Sequence, residues 1–212
     1  MTGVILAGGK NSRIGLNKAF LEIGGKKIID RTIEIYKKIF DEILIITNTP
    51  EDYQYLTESV ILTPHISLYV RGKNLKLKIY TDLIPHRGSL GGIYTGLHYS
   101  KSDYAFFAAC DMPFLNERVI RHIIKVARDY DIIVPYFKHR LHPLHAVYSK
   151  KCLPLIKVMV GKNRLKIKDL FLKCKVKRVM DIPQTKLPPF SNINTKENYK
   201  QAIKLQGGNF YD

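Results

Sequence analysis

Short, wholly apolar runs alternate along the chain with longer stretches in which apolar residues recur every three or four positions. The first run, Gly3–Ala7, is bounded by glycine and rich in β-branched residues, the composition of a strand buried on both faces. Glu42–Thr47, Leu77–Thr81, Tyr104–Cys110 and Asp131–Tyr136 read the same way, and Leu141–Ser149 and Lys175–Asp181 are expected as further strands. Helical spacing marks Ile28–Phe40, Ser89–Ser100 and Glu117–Tyr130, with shorter helices over Glu51–Glu58, Lys151–Val160 and Leu165–Lys173. Ala19–Ile23 is a short extended piece ending at Gly24 and Gly25, and Ser59–Lys78 is a hairpin or excursion with no assigned role. Near the end, strand alternation puts Asn192 and Asn194 on one face and Ile193 on the other. Asn194 or Thr195 then caps a helix that runs through Leu205.

Strands alternating with helices predict βαβ units. The expected class is α/β, three layers deep, with a mostly parallel, Rossmann-like central sheet between helices. Ligands of such sheets sit beyond the carboxyl ends of the strands. The loop Gly8–Lys18, Asn48, Asp82 and Asp111 each follow a different strand, so they are expected to converge there.

The loop itself has chemistry. Gly8, Gly9 and Gly15 let the backbone turn sharply and approach a ligand, while Ser12, Arg13 and Lys18 supply polar and cationic groups. Consecutive N–H groups facing one anion, with fixed charge beside them, make a phosphate cradle. The spacing fits neither the P-loop nor the dinucleotide G-x-G-x-x-G fingerprint. An ordinary glycine-rich connection on a charged surface is the alternative.

Charge adds to this picture. The 212 residues carry a formal net charge of +17, which raises the local concentration of nucleotides, phosphorylated metabolites or nucleic acid. The basic residues crowd between Lys150 and Arg178, where Asp169 is the acidic exception. That run is either a solvated face or an attractor of anions. Aromatic residues do not interleave with it as a base-stacking groove requires, so nucleic acid is not the expected partner. No apolar run reaches the roughly 18 residues that span a bilayer. Cys110, Cys152 and Cys174 form no C-x-x-C pair. A cytoplasmic location, away from membranes, is the expectation. The cysteines are expected as small core residues.

Asp111, at the end of the most apolar strand and near the phosphate loop, is a natural Mg²⁺ ligand, since magnesium binds through one or two carboxylates plus substrate phosphates. A cap for the helix at Asn116 is its structural alternative. Asp82 is open to three roles: sharing the metal, accepting from a nucleotide base or sugar, or closing a turn. Arg13 and Lys18 suit the charge that builds on a pyrophosphate leaving group. His142 and His145 are expected to be structural, because a third metal ligand cannot be placed.

In this order the residues resemble the nucleotidyltransferases that activate a phosphate or sugar phosphate with an NTP, and within them the molybdenum-cofactor guanylyltransferases. The matching pieces are Leu6-Ala7-Gly8-Gly9 with Ser12-Arg13-Ile14-Gly15 and Lys18, Asp82 with Gly88-Ser89-Leu90-Gly91-Gly92, and Cys110-Asp111-Met112-Pro113-Phe114. His142-Pro143, Gly161 with Arg164, and Asn192-Ile193-Asn194-Thr195 complete the series. The glycine pair is similar to the guanylyl branch, whereas cytidylyl relatives read A-A-G.

The resemblance implies a fold of nucleotide-diphospho-sugar transferase type and one domain over 1–212, with 1–115 binding nucleotide and 116–212 binding the acceptor. It implies that Leu6, Ala7, Gly8, Gly9, Lys18, Asn48, Asp82 and Asp111 contact GTP. Arg13, Lys18 and Asp111 would be catalytic, and Asp111 would hold Mg²⁺. His142, Arg164, Asn192 and Asn194 would face the acceptor, molybdopterin. The chain is then expected to act as a monomer, with transient contact to molybdoenzyme maturation proteins. A CTP- or UTP-dependent transferase, or a non-catalytic nucleotide- or RNA-binding module, are the alternatives. One departure is Asn17, where the family has Asp before the loop lysine. The other is the length of Ser59–Lys78.

Overall fold

A computed structural model describes residues 1–8, 17–56, 66–69, 76–127 and 129–207, with 66–69 described by backbone. Strand β1 (Thr2–Leu6) leads to a short hairpin, β2 (Glu22–Ile23) and β3 (Lys26–Lys27), and then to helix α1 (Ile28–Tyr36). Next come β4 (Glu42–Thr47), β5 (Ile66–Tyr69), β6 (Lys76–Thr81), α2 (Gly88–Tyr99), β7 (Tyr104–Ala109) and α3 (Glu117–Lys125). The remainder holds β8 (Ile132–Phe137), β9 (Arg140–Leu141), β10 (His145–Ser149), α4 (Leu153–Gly161), α5 (Ile167–Phe171), β11 (Val176–Val179) and α6 (Lys196–Leu205).

The main sheet runs β11-β8-β10-β7-β1-β4-β6-β5, with β9 paired to β8. Six of these strands point one way, and β10 and β5 run against their neighbours. The fold is therefore a mixed, mostly parallel sheet with helices on both sides. One face carries α1 and α3 over Ile5, Ile43, Ile45 and Phe106; the other carries α2, α4 and α5 over Val4, Leu44 and Phe107. The alternation of side chains along β1, β4 and β7 feeds both cores, which is why these strands read as continuous apolar runs. Helix α2 lies unusually close to the sheet. A Cβ at Gly96 would stand 2.6 Å from the Phe107 ring and 2.8 Å from a Val4 methyl. A third, smaller core joins Leu21, Ile23, Phe114, Ile193 and Ile203, tying α6 and the Asn192–Asn194 segment to the β2–β3 hairpin.

Several boundaries differ from the sequence pattern. The first helix ends at Tyr36, and turns carry Phe40 back into the core. The stretch expected as a helix over Glu51–Glu58 is a 3-10 helix over Pro50–Leu56. Helix α3 stops at Lys125 instead of reaching Tyr130, and Asp129 takes a left-handed turn at φ 67°. Leu141–Ser149 is not one strand. Its apolar pattern is broken at His142–Leu144, where the His142 N–H donates to the Pro135 carbonyl and Pro143 offers no donor. Most of Ser59–Lys78 lies outside the described residues; within it, β5 closes the edge of the sheet antiparallel to β6. Cys152 is buried, with its sulfur 4.0 Å from that of half-buried Cys174; both are thiols.

Candidate active site

Four strands deliver polar residues to one end of the sheet. From β1 the chain continues into Ala7, whose N–H donates to the Ile46 carbonyl at 2.8 Å, and Gly8. A Cβ at Gly8 would stand 3.2 Å from the Asn48 side-chain nitrogen, so a larger residue would press on the asparagine that follows β4. Beyond β6, Asp82 lines a narrow crevice with Leu6, Gly8, Thr47, Ser89 and Gly92, closed by the first turn of α2. The Asp82 Oδ1 accepts from the Thr95 hydroxyl at 2.7 Å and the Ile84 N–H at 3.1 Å, which fixes the carboxylate's direction. Thr95 carried no signal in the sequence, because its role depends on the helix lying against the β6 loop.

Next to this crevice is a second group. The Cys110 N–H donates to the Leu6 carbonyl at 3.0 Å, which seats Asp111 one strand away from Gly8. Lys18 rises from a 3-10 turn, Lys18–Phe20, capped by Asn17, whose Oδ1 accepts from the Ala19 N–H at 3.2 Å. Its ammonium donates to Asp111 Oδ2 at 3.3 Å and to Asn194 Oδ1 at 2.8 Å. Asn192 donates to Asp111 Oδ1 at 3.2 Å, and the Ile193 N–H to the Asp111 carbonyl at 2.9 Å. Alternation sends both asparagines inward to the charged pair while Ile193 anchors the segment in the third core. Residues as far apart in sequence as 18 and 194 are thus locked in one cluster.

The Asp111 side chain is 17% exposed. Burial pushes its carboxyl above the usual range, and the Lys18 ammonium only partly pulls it back. A carboxylate in that state lacks positive charge. Its two carboxylate oxygens, with the Asn192 amide oxygen beside them and not engaged by the carboxylate, are the hard oxygen donors that a divalent cation takes. The helix that follows is capped by Asn116, whose side chain accepts from the Arg118 and Val119 N–H groups, so the capping role expected as an alternative for Asp111 is taken. Asp82 and Asp111 follow β6 and β7, separated by β1 and β4. At about 4.8 Å per strand their stations lie roughly 14 Å apart, too far for one ion to be held by both. Cys110 is no nucleophile: burial, then the Asp111 charge, pushes its thiol up to about 12.

The expected acceptor residues divide. Asn192 and Asn194 join the Lys18–Asp111 cluster, as described. His142 stacks on Phe190 with ring centres 4.3 Å apart, and lines an open cavity with Phe137, Lys138, Arg140 and Ser191. Burial lowers its pKa, the Phe137 carbonyl opposes that, and the Arg140 charge adds to it. Phe137 and Phe190 were not singled out from sequence, where isolated phenylalanines carry no mark of a cavity. Arg164 is exposed after α4; its neighbour Asn163 accepts from Arg87, at the start of α2, at 2.6 Å. Nothing brings Arg164 into contact with Asp111 or His142 among the described residues. His145 is wholly buried against Phe106 and Phe190, and burial pushes its pKa down to about 3. Gly9 and Arg13, with the rest of the loop over 9–16, lie outside the described residues.

Residues 3–175 match the family model described as a MobA-like NTP transferase domain. A protein of Desulfosudis oleivorans named molybdenum cofactor guanylyltransferase is 38% identical over 208 residues, covering 95% of this chain and 94% of its own length. One of Clostridium perfringens named probable molybdenum cofactor guanylyltransferase is 35% identical over 210 residues, with 96% of each chain covered. The crystal structure of molybdopterin-guanine dinucleotide biosynthesis protein A from Archaeoglobus fulgidus superposes with a TM-score of 0.76 at 23% identity, covering 98% of this chain and 99% of that one.

Proposed function

The chain belongs to the MobA-like NTP transferase family, and from that premise we propose that it transfers GMP from GTP to the phosphate of molybdopterin in the molybdenum cofactor, releasing pyrophosphate. The observation that carries this reading is the Lys18–Asp111–Asn192–Asn194 cluster, set one strand from the crevice that Gly8 and Asp82 line. One element of the site is made for an NTP, the other for a charged reaction centre. The relatives' names supply the acceptor.

The reaction asks little covalent chemistry of the protein. A phosphate monoester has a second pKa of about 6, so the acceptor is already mostly a dianion at neutral pH and attacks the α-phosphorus without a general base. The task is to align two anions that repel each other and to neutralise the charge on the departing pyrophosphate. Lys18 supplies a fixed cation at the centre, and Arg13 a second from the loop. Asp82, held rigid by Thr95, offers its Oδ2 to the donor edge of guanine. Gly8 and Asn48 border the nucleotide with Leu6, Ala7 and Gly9. Asp111, with the Asn192 and Asn194 side chains beside it, would hold Mg²⁺, which neutralises phosphate charge when bound. His142 and Phe190 give the acceptor's fused ring a flat aromatic wall, and Arg164 is carried as an acceptor residue by the family resemblance alone. Free thiols at Cys110, Cys152 and Cys174 suit the cytoplasm.

The test is incubation with molybdopterin, Mg²⁺ and one NTP at a time, with the dinucleotide product read by mass. GTP is expected to exceed CTP by roughly a hundredfold or more, because a site that hydrogen-bonds one base edge rejects another. Faster turnover of CTP or UTP would overturn the assignment.

A further inference from the structure

A second cavity at the β8–β9 hairpin shares Arg140 with the cavity of His142. It is lined by Tyr136, His139, Arg140, Leu141, Lys168 and Arg178. Three cationic side chains from three elements, β9, α5 and β11, converge on it, and no carboxylate lines it. Among the described residues, none of the ion pairs or side-chain hydrogen bonds engages Arg140, Lys168 or Arg178.

That arrangement is unfavourable on its own. Like charges gathered around a concave surface repel, and the walls of a cleft focus their field. Elsewhere the chain pairs its lysines when they are placed near an acid, as Lys78 with Glu42. Here the guanidinium groups of Arg140 and Arg178, whose planar forks match oxyanion geometry, are joined by Lys168, the Tyr136 hydroxyl and the His139 ring as side-chain donors.

We propose that this cavity binds a small dianionic oxyanion, a phosphate either free or as a monoester, held by Arg140, Lys168 and Arg178. The site is separate from the reaction centre. The β8 and β10 strands stand between β11 and β7, which puts the backbone of Arg178 roughly 14 Å or more from that of Asp111 at about 4.8 Å per strand. It does not depend on the identity of the NTP or the acceptor. Arg140 also lines the cavity of His142, so an anion that fixes its guanidinium would shape the wall offered to the acceptor.

The experiment is a titration of the full chain with inorganic phosphate, and in parallel with glycerol phosphate, at ionic strength held constant with potassium chloride, followed by backbone amide shifts. Saturable shifts at Arg140, Lys168 and Arg178 are expected. Arg178→Gln and Lys168→Gln, both at exposed positions that the fold tolerates, should each weaken binding about tenfold. Lys18→Met removes a cation of the reaction centre and should leave this titration unchanged, which separates the two sites. Tighter binding of glycerol phosphate supports the site and assigns it to an organic monoester; tighter binding of inorganic phosphate supports it and assigns it to the free anion. Shifts that do not saturate, or that persist unchanged in Arg178→Gln, overturn the proposal.

Discussion

Glu42 and Asp111 are both largely buried carboxylates, and they stand at opposite ends of the same sheet. Glu42 opens β4 and is saturated. Its Oε2 accepts from the Thr2 hydroxyl at 2.8 Å and the Lys101 N–H at 3.1 Å, its Oε1 from the Lys78 ammonium at 3.3 Å, and Ser100 braces Thr2 at 2.8 Å. Burial alone would push its carboxyl up, but the Lys101 N–H, the Thr2 hydroxyl and Lys78 together hold it below the usual range. Asp111, just past β7, has two longer partners, and burial wins. The sheet's amino end uses its carboxylate to close the structure. Its carboxyl end keeps one short of positive charge, which is what a site for an incoming cation and phosphates requires.

The largest expected effect comes from breaking the unsatisfied member. Asp111→Asn should lower kcat by about 10² to 10³, the range for losing one preorganised electrostatic partner of a transition state. Its melting temperature should stay level or rise, because the carboxylate it replaces is destabilised by burial. Steady-state rates and calorimetry on the same sample decide the matter. A variant that melts several degrees lower with its rate intact would make Asp111 a structural residue like Glu42.

Glu42→Gln is the mirror experiment. It leaves Lys78 without a counter-charge in a nearly buried position and weakens three hydrogen bonds, so stability should fall by about 2–3 kcal/mol. The folded fraction should keep its kcat/KM, since the site lies at the other end of the strands. Denaturant unfolding and kinetics below the midpoint test this; a large rate loss without a stability loss would refute the division between the two ends.

The two carboxylates should also tilt the pH dependence of stability in opposite directions. Glu42 is depressed, so its contribution is complete above the unfolded-state pKa, near 4.3, and is lost as pH falls through its folded value. Asp111 is raised, so its contribution is complete below about 3.9 and is lost as pH rises through its folded value. Each slope is at most about 1.4 kcal/mol per pH unit. Glu42→Gln should therefore flatten the acid limb, and Asp111→Asn should steepen the rise above pH 4. Urea midpoints measured across pH 3 to 7 would show both, and parallel curves for the two variants would contradict the comparison.

The asymmetry was only partly legible in the sequence. Apolar runs located β1, β4 and β7, and strand ends located Gly8, Asn48, Asp82 and Asp111, because burial on both faces leaves an unmistakable composition. The Asn192–Asn194 alternation was visible too, but its attachment to Lys18 was not; that contact spans 176 positions and depends on Ile193 finding the third core. Glu42 looked like the polar start of a strand. Its role arises from Thr2, Lys78 and Lys101, which come together only when β1, β4 and β6 pair and α2 ends beside them. The break in Leu141–Ser149 falls at Pro143, where the apolar pattern continues although the strand pairing does not, and the β8–β9 turn just before it, with left-handed Lys138 and His139 (φ 50° and 59°), has no glycine to announce it.

The smallest effect, and the sharpest question about the carboxyl end, concerns whether the Lys18–Asp111 cluster tolerates a second carboxylate beside it. Asn17 caps the turn that carries Lys18, and Asp caps as well as Asn does. The Asn17 amide donates to the Tyr53 hydroxyl at a long 3.4 Å. In Asn17→Asp the direction reverses: burial raises the Tyr53 pKa, so its phenol keeps its proton and can donate to the new carboxylate. Stability should then change by less than about 0.5 kcal/mol. The added charge beside Lys18 competes with phosphate for the ammonium, and a like-charge contact worth about 1 kcal/mol in water corresponds to roughly fivefold weaker GTP binding without metal. Adding Mg²⁺ should shrink that difference. Calorimetric titration with GTP, with and without Mg²⁺, measures it. Equal affinities in both conditions would mean that Lys18 does not meet the triphosphate, and that its pairing with Asp111 belongs to the fold, as the pairing of Lys78 with Glu42 does.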